Sequence, residues 1–347
     1  MPTTSIDTFF ACTLIVSVAI LATVYAAGTL QTQISSMQDL NKRDYLQALA
    51  DHIVLSPGDP PNWGSQALFP QSLGLSDSHS QLPFDLDVDK VSRLSTLNDY
   101  ELTYAQIARA TRLNKIAFGI SINPILSIRV EPVGNVTETD ATTYTLTVRV
   151  EKDSQPIAAA LHLYAVAPGY FDNATSSTST DGIGNISIQI PNSSRGQALL
   201  VVFARANFDP RMTSLETYSF AHLSSEPLPN LTFLKLSPLN YSLNVTAKSP
   251  DARFSNGFAF SYSYQSNLTA TGNSTLEVPN LTENSPIALV VEGFNGTTPF
   301  VEWTAFPQLP REKGADFADS EVNVFQYIVT IRGTFYKLKI SLGDLPK

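Results

Sequence analysis

The amino-acid sequence predicts a mainly β protein behind a long N-terminal α-helix: a transmembrane helix and stalk, a small α+β collar, and two antiparallel β-sandwich domains. Three observations lead there. Residues Phe9 to Leu30 run for 22 positions without a charge. Beyond them, apolar residues keep helical spacing, with no proline before Pro57. From Val130 onward, short alternating runs rich in β-branched residues are punctuated by Gly, Pro and Asn.

Composition narrows the function. The 347 residues suffice for two or three domains, and 22 Lys+Arg against 31 Asp+Glu leave a net charge of −9. That balance argues against nucleic acid as a partner, because phosphate neutralisation needs a basic face. A single cysteine excludes an intrachain disulfide framework, and four scattered histidines do not suggest a metal site. No cofactor is expected. The chain contains no G-x-S-x-G, H-E-x-x-H, G-x-G-x-x-G or Walker loop. His162, in a strand between Leu161 and Leu163, is expected as a sheet-face histidine, and His52 as a cation near a helix C-terminus. The acidic residues Asp316, Asp319 and Glu321 are expected on a solvated loop.

Residues 1–30 form the expected transmembrane helix. Twenty-two residues make about 33 Å of helix, enough for a hydrocarbon core of about 30 Å. A signal peptide would carry a positive n-region, whereas Met1 to Thr8 hold only Asp7. Ala26-Ala27-Gly28 meets the cleavage pattern loosely, so a retained anchor in membrane lipid is preferred over a cleaved leader. Ala19, Thr23 and Ala27 recur four apart and make a candidate stripe for helix association. Orientation has two readings. Lys42 and Arg43 alone would place the bulk of the chain in the cytoplasm. Glycosylation sequons point outward: Asn135, Asn173, Asn185, Asn192, Asn230, Asn240, Asn244, Asn267, Asn273, Asn280 and Asn295 take up eleven of the 20 asparagines. A glycosylated extracellular bulk is the preferred reading.

Residues 31–128 form the expected stalk and collar. The helix should continue to about Leu55, where SPGDPPNWG (56–64) stops it, since each proline removes a donor. Asp87 or Asp89 can cap a helix over VDKVSRLSTLN, and Thr103 with Gln106 forms a capping box. Asp85, Asp87 and Asp89 open like a calcium loop, but Lys90 and Thr96 stand where Gly and Glu are needed. FGISINPILSIRV (118–130) reads as strand, turn at Asn123-Pro124, strand.

The break Gly58 to Trp63, the D-x-D-K-x-x-R-L segment Asp87 to Leu94, and the strand Phe118 to Pro124 make the chain resemble the membrane-anchored, type IV pilin-like surface proteins of archaea. VTIRGTFYKLKISLG (329–343) is similar to their closing hairpin. The resemblance implies a structural or adhesive surface role. Asp7 stands in place of the usual glutamate, and no basic residue with Gly precedes the apolar run.

Residues 129–225 form the first expected sandwich, with strands at YTLTVRV, AALHLYAV, NISIQI and ALLVVFARA. Ser154-Gln155-Pro156 and the turn holding Asp181, Gly182 and Gly184 resemble the immunoglobulin-like or carboxypeptidase-regulatory repeat of surface proteins. SSEPLPN (224–230) marks a boundary, and residues 226–347 form the second sandwich with about eight strands. There Phe258, Phe260, Tyr262 and Tyr264 alternate. Core packing is the first reading of that row, a polysaccharide-stacking platform the second.

The functional expectation is a single-pass surface protein whose partners are lipid and either further copies of itself or other surface proteins. An anchored binding module for polysaccharide or a transport substrate comes second, and a membrane-bound hydrolase third.

Overall fold

The computed structural model describes residues 3–344 apart from 67, 113–115, 226, 316 and 318–321, with the backbone alone at 3–8, 30–41 and 344. The chain divides into two units, 1–51 and 52–347. Helix α1, Thr3–Leu55, ends where the sequence predicts, one residue before Ser56-Pro57. Its segment Phe9–Thr29 is long and apolar enough to cross a membrane, and none of it is buried.

In the second unit, two short helices follow: α2 (Val88–Ser92) and α3 (Tyr104–Ala110). Asp87 caps α2 through the Asp89 and Lys90 N–H groups, and the Thr103–Gln106 box closes on both sides of α3. β1 (Ile116–Pro124) then enters a collar sheet of order β18-β1-β20-β19, completed by β18 (Lys313–Gly314), β19 (Val322–Ile331) and β20 (Thr334–Asp344). Here the sequence reading needs two corrections. The terminal hairpin β19–β20 does not belong to the second sandwich: β20 pairs with β1 over nine residues, from Ile116↔Asp344 to Pro124↔Tyr336. Its alternation sends Tyr336, Leu338, Ile340 and Leu342 into the collar. The break between β1 and β2 (Ser127–Thr137) is present but falls at 125–126 instead of at Asn123-Pro124, and the two strands find their partners in different sheets.

The remaining strands build four layers. Sheet I holds β2, β3 (Ala141–Lys152), β4 (Gln155–Pro156) and β7 (Ile183–Pro191), with β2 and β7 flanking β3. Sheet II has the order β6-β5-β8-β9, from β5 (Ala159–Ala167), β6 (Tyr170–Ser177), β8 (Gly196–Ala206) and β9 (Thr213–His222). Sheet III has the order β13-β12-β16-β17, from β12 (Ala252–Phe260), β13 (Gln265–Asn267), β16 (Ile287–Asn295) and β17 (Thr298–Phe306). Sheet IV has the order β10-β11-β15-β14, from β10 (Leu234–Leu239), β11 (Ser242–Ala247), β14 (Thr269–Ala270) and β15 (Thr275–Glu277).

Sheets I and II enclose one apolar core, and III and IV another. A third cluster joins the outer face of II to the outer face of III. The two sandwiches therefore stack as I–II–III–IV, and the middle sheets are buried on both faces. That burial explains their sequences: β8 and β16 carry near-continuous apolar runs, whereas β7 alternates.

The collar holds both sandwiches by hydrogen bonds. The Asn240 N–H donates to the Asp89 carboxylate (2.8 Å), and the Asn98 amide donates to Pro238 O (3.1 Å). On the other side the Leu126 N–H donates to Ser214 Oγ (3.0 Å) and the Phe335 N–H to Arg211 O (2.9 Å).

Candidate functional site

Three threonine hydroxyls of the membrane-length segment bond to carbonyls of their own helix. Thr13 donates to Phe9 O (2.7 Å), Thr23 to Ala19 O (2.7 Å) and Ile20 O (2.9 Å), and Thr29 to Ala26 O (2.9 Å). A hydroxyl bonded to its own helix needs no water, which suits hydrocarbon. Ala19, Thr23 and Ala27 lie on one exposed face, and Cys12 is exposed too. The Asp7, Ile34 and Met37 side chains lie outside the described residues, as do Asp316, Asp319 and Glu321.

The collar motifs form one polar network. The Trp63 indole is buried and donates to Gly74 O (3.0 Å). The Arg93 guanidinium lies 5.3 Å from its ring and donates to the carbonyls of Trp63 (2.5 Å), Leu68 (2.7 Å) and Tyr100 (2.9 Å). Lys90, fully buried, donates to Pro57 O (2.9 Å) and Ser76 O (2.7 Å). Burial lowers the Lys90 pKa against the pull of Asp87 and Asp77, and lowers that of Arg93 to about 10. Burial raises the Asp89 carboxyl to about 6, a rise limited by the Asn240 N–H. The three carboxylates of the D-x-D-x-D run take separate partners. Asp85 accepts from Thr330 Oγ1, Asp87 caps α2 and Asp89 takes the Asn240 N–H. Among the described residues, no group of three His, Cys, Asp or Glu is placed to hold a metal. Sequence reasoning found the caps but not the buried cations, whose acceptors are backbone carbonyls that no residue type announces.

The turn at Asp181 is built by local bonds. Its carboxylate accepts the Ile183 N–H (3.1 Å) and the Ser179 hydroxyl, which hold its pKa down. Gly182 sits at φ +73°, and a Cβ there would lie 2.6 Å from Val150 O. At Gly184 a Cβ would lie 2.6 Å from Ser177 O, so β7 approaches β6 as only glycine allows.

The aromatic row is divided. β12 stops at Phe260, and the Ser261 N–H bonds Tyr264 O (2.8 Å) to close a turn that carries Tyr262 and Tyr264 off the strand. Phe260 is buried and stacks on Tyr164 with ring centroids 4.5 Å apart, while Phe258 and Tyr262 are half-buried in the II–III seam. Tyr264 alone is mostly exposed, at 54%. Arg205 lies 3.7 Å over the Tyr262 ring and pairs with Glu283 at 2.8 Å. His162 stacks on Tyr164 at 4.7 Å, and burial lowers its pKa. His52 Nε2 lies 3.3 Å from Ser72 Oγ.

The sequons fall into two sets. Asn135, Asn173, Asn185, Asn240, Asn267, Asn273 and Asn280 are exposed; Asn192, Asn230, Asn244 and Asn295 are half-buried. A cleft of about 1260 Å³ lies between the collar sheet and the sandwiches, with Trp303, Asn230, Arg311 and Lys339 on its walls.

No protein-family model and no curated protein matches the chain. Among solved structures it is similar to HBP35 of Porphyromonas gingivalis, at 13% identity and TM-score 0.21, covering 52% of this chain and 63% of that one. A marsupial T cell receptor matches at 12% identity and TM-score 0.20, covering 52% and 96%. The chain thus spans under two thirds of the first of these.

Proposed function

We propose that this chain is a single-pass, membrane-anchored surface protein with a structural or adhesive role, a pilin-like or envelope component whose β layers face the cell exterior and carry N-linked sugar. One observation carries the reading: a 21-residue apolar helix, three of whose threonine hydroxyls bond to its own backbone, is joined in one chain to β layers that display seven sequon asparagines to solvent. α1 anchors, and the sandwiches present a rigid body built on three apolar seams. Ala19, Thr23 and Ala27 give copies a face for close lateral approach in lipid.

Protease treatment of intact cells tests the orientation. The 52–347 region should be degraded from outside while a membrane-embedded N-terminal fragment survives alkaline extraction. Protection of the whole chain until the cells are lysed would reject the reading. Replacing Ala19, Thr23 and Ala27 with Leu should weaken self-association in detergent. The cleft beside Trp303 favours a second reading, an anchored module that binds polysaccharide. Glycan binding abolished by Trp303→Ala would support it.

A further inference from the structure

The sequons differ in what their side-chain amides do. Asn192 Nδ2 donates to Glu138 O (2.8 Å) and Thr139 O (3.2 Å), while its oxygen accepts from Thr142 Oγ1 (2.8 Å). Asn230 behaves like one more residue of sheet III: its Nδ2 donates to Trp303 O (2.9 Å) and its oxygen accepts the Trp303 N–H (3.0 Å). A sugar on either nitrogen would remove a donor hydrogen and put a ring where the fold has backbone. The conflict holds whether transfer precedes or follows folding.

The exposed strand sequons share a different property, since each lies on an edge strand. Asn135 is on β2 and Asn185 on β7, the two flanks of sheet I; Asn173 is on β6, the end of sheet II; Asn267 is on β13, the end of sheet III. An edge strand is a template for pairing with another chain, and proteins usually guard it with Lys, Pro or inward charge. β2 has such guards in Arg129, Glu131 and Pro132, but on the other three strands they are thin. β6, β7 and β13 contain no Lys or Arg, and Asn185 to Ile190 reads NISIQI, uncharged and β-prone without proline. β6 and β7 also meet along one side of the first sandwich, where Ser176 Oγ donates to Asn185 O (3.2 Å) and the Tyr170 hydroxyl to Gln189 O (3.0 Å). Asn173 and Asn185 therefore flank the same side.

We propose that N-linked oligosaccharides on Asn173, Asn185 and Asn267 guard these sheet edges against strand addition by a second copy, taking the place of basic charge, while Asn192 and Asn230 stay unmodified. The proposal rests on the surface reading above, because the donor must be met outside the membrane. In the transfer, the C1–O bond of a polyprenyl-phosphate-linked oligosaccharide breaks and the Nδ2–C1 bond forms. The amide proton passes to a base on the transferase, and the lipid phosphate leaves. Asn185 is ready for it: its oxygen accepts from Thr147 Oγ1 (2.9 Å) and its nitrogen has no partner among the described residues.

Glycopeptide mass spectrometry of the full chain from its native membrane tests the partition. Sugar is expected on Asn173 and Asn185, with none on Asn192 or Asn230. Sugar on either of the latter overturns the proposal. So does a chain bare throughout, which leaves the protease result of the surface reading standing by itself. The guarding role is read from Ser187→Ala, which removes the sequon but keeps Asn185 and its bond from Thr147. That variant should associate several-fold more than the parent by light scattering in detergent. Ser187→Lys removes the same sequon yet restores a charge, and should stay as dispersed as the parent. Equal dispersion of parent and Ser187→Ala would overturn the guarding role.

Discussion

Inside the first sandwich, sheets I and II bury mostly Ile, Leu, Val and Ala against each other. Between the sandwiches, sheets II and III bury Tyr164, Phe203 and Phe260, with Phe171, Phe258, Tyr262 and Trp303 at the margins. Aliphatic packing is non-directional and tolerates small rotations. Stacked and edge-on rings are not so permissive. Tyr164 stacks on Phe260 and meets Phe203 edge-on at 6.0 Å, and its hydroxyl donates to Ser261 O (3.0 Å). The Arg205–Glu283 pair fixes the rim. The middle seam thus resembles a protein–protein interface, with rings at the centre and polar contacts around them, and it fixes orientation as well as burying area.

The comparison fails if the seam is only a loose contact. Phe260→Ala should cost about 3–5 kcal/mol, the range for deleting a buried ring, in denaturant unfolding of the 52–347 region. It should do so in one transition for both sandwiches. A loss under about 1 kcal/mol, or two separate transitions, would mean that the sandwiches are independent.

The two kinds of layer also differ in what their sequences disclose. β7 alternates Ile with Asn, Ser and Gln, so strand, face and solvent side are all legible. In β8 the run ALLVVFA has lost its period because both faces are covered, so the sequence shows a strand but not which layer it serves. A signal was present: β5, β8 and β16, the most continuously apolar strands, all belong to the middle layers. The collar hairpin was illegible for another reason. β20 alternates well, but alternation cannot identify a partner more than two hundred residues upstream. At the candidate sites, Asp87 and the Thr103 box follow local rules of capping, whereas Lys90 and Arg93 are cations that ordinarily face water. Likewise, a sequon does not reveal that the Asn230 amide is already bonded to Trp303.

Breaking the rim should cost less than emptying the centre. Arg205→Ala removes a charge-assisted bond from Glu283, so a loss of about 2 kcal/mol is expected near pH 7. Burial pushes the Glu283 carboxyl up, but the Ser263 N–H, the Ser261 hydroxyl and Arg205 outweigh it, and its pKa is lowered. A lowered folded pKa gives stability that is present above the unfolded value of 4.5 and is lost as pH falls through the folded value. The gap between parent and variant should therefore narrow in acid. A gap independent of pH would remove Glu283 from the rim's energetics.

Glu292 has the opposite sign. It is buried, with Oε1 unpartnered among the described residues, and burial raises its pKa against the Asn256 and Gly169 donors. A raised folded pKa means that its favourable contribution is complete below 4.5 and is lost as pH rises through the folded value. Glu292→Gln should then stabilise by about 1 kcal/mol at neutral pH, and the advantage should vanish in acid. Thermal melts at pH 7 and pH 4.5 would check this, and a destabilised variant at pH 7 would overturn it.

The smallest effect is expected where one face meets water. Ser187 is exposed on β7, between buried Ile186 and Ile188 and opposite half-buried Thr145. Lysine there keeps its ammonium hydrated, so Ser187→Lys should change unfolding stability by no more than about 0.5 kcal/mol. The same lysine at Val201, fully buried in the II–III seam beside Tyr164 and Phe203, would have to bring its ammonium out of water, and should leave the chain unfolded. A measured cost at Ser187 comparable to that at Val201 would mean that sheet I is covered on both faces, and that the one-sided and two-sided layers do not differ in the way their sequences express.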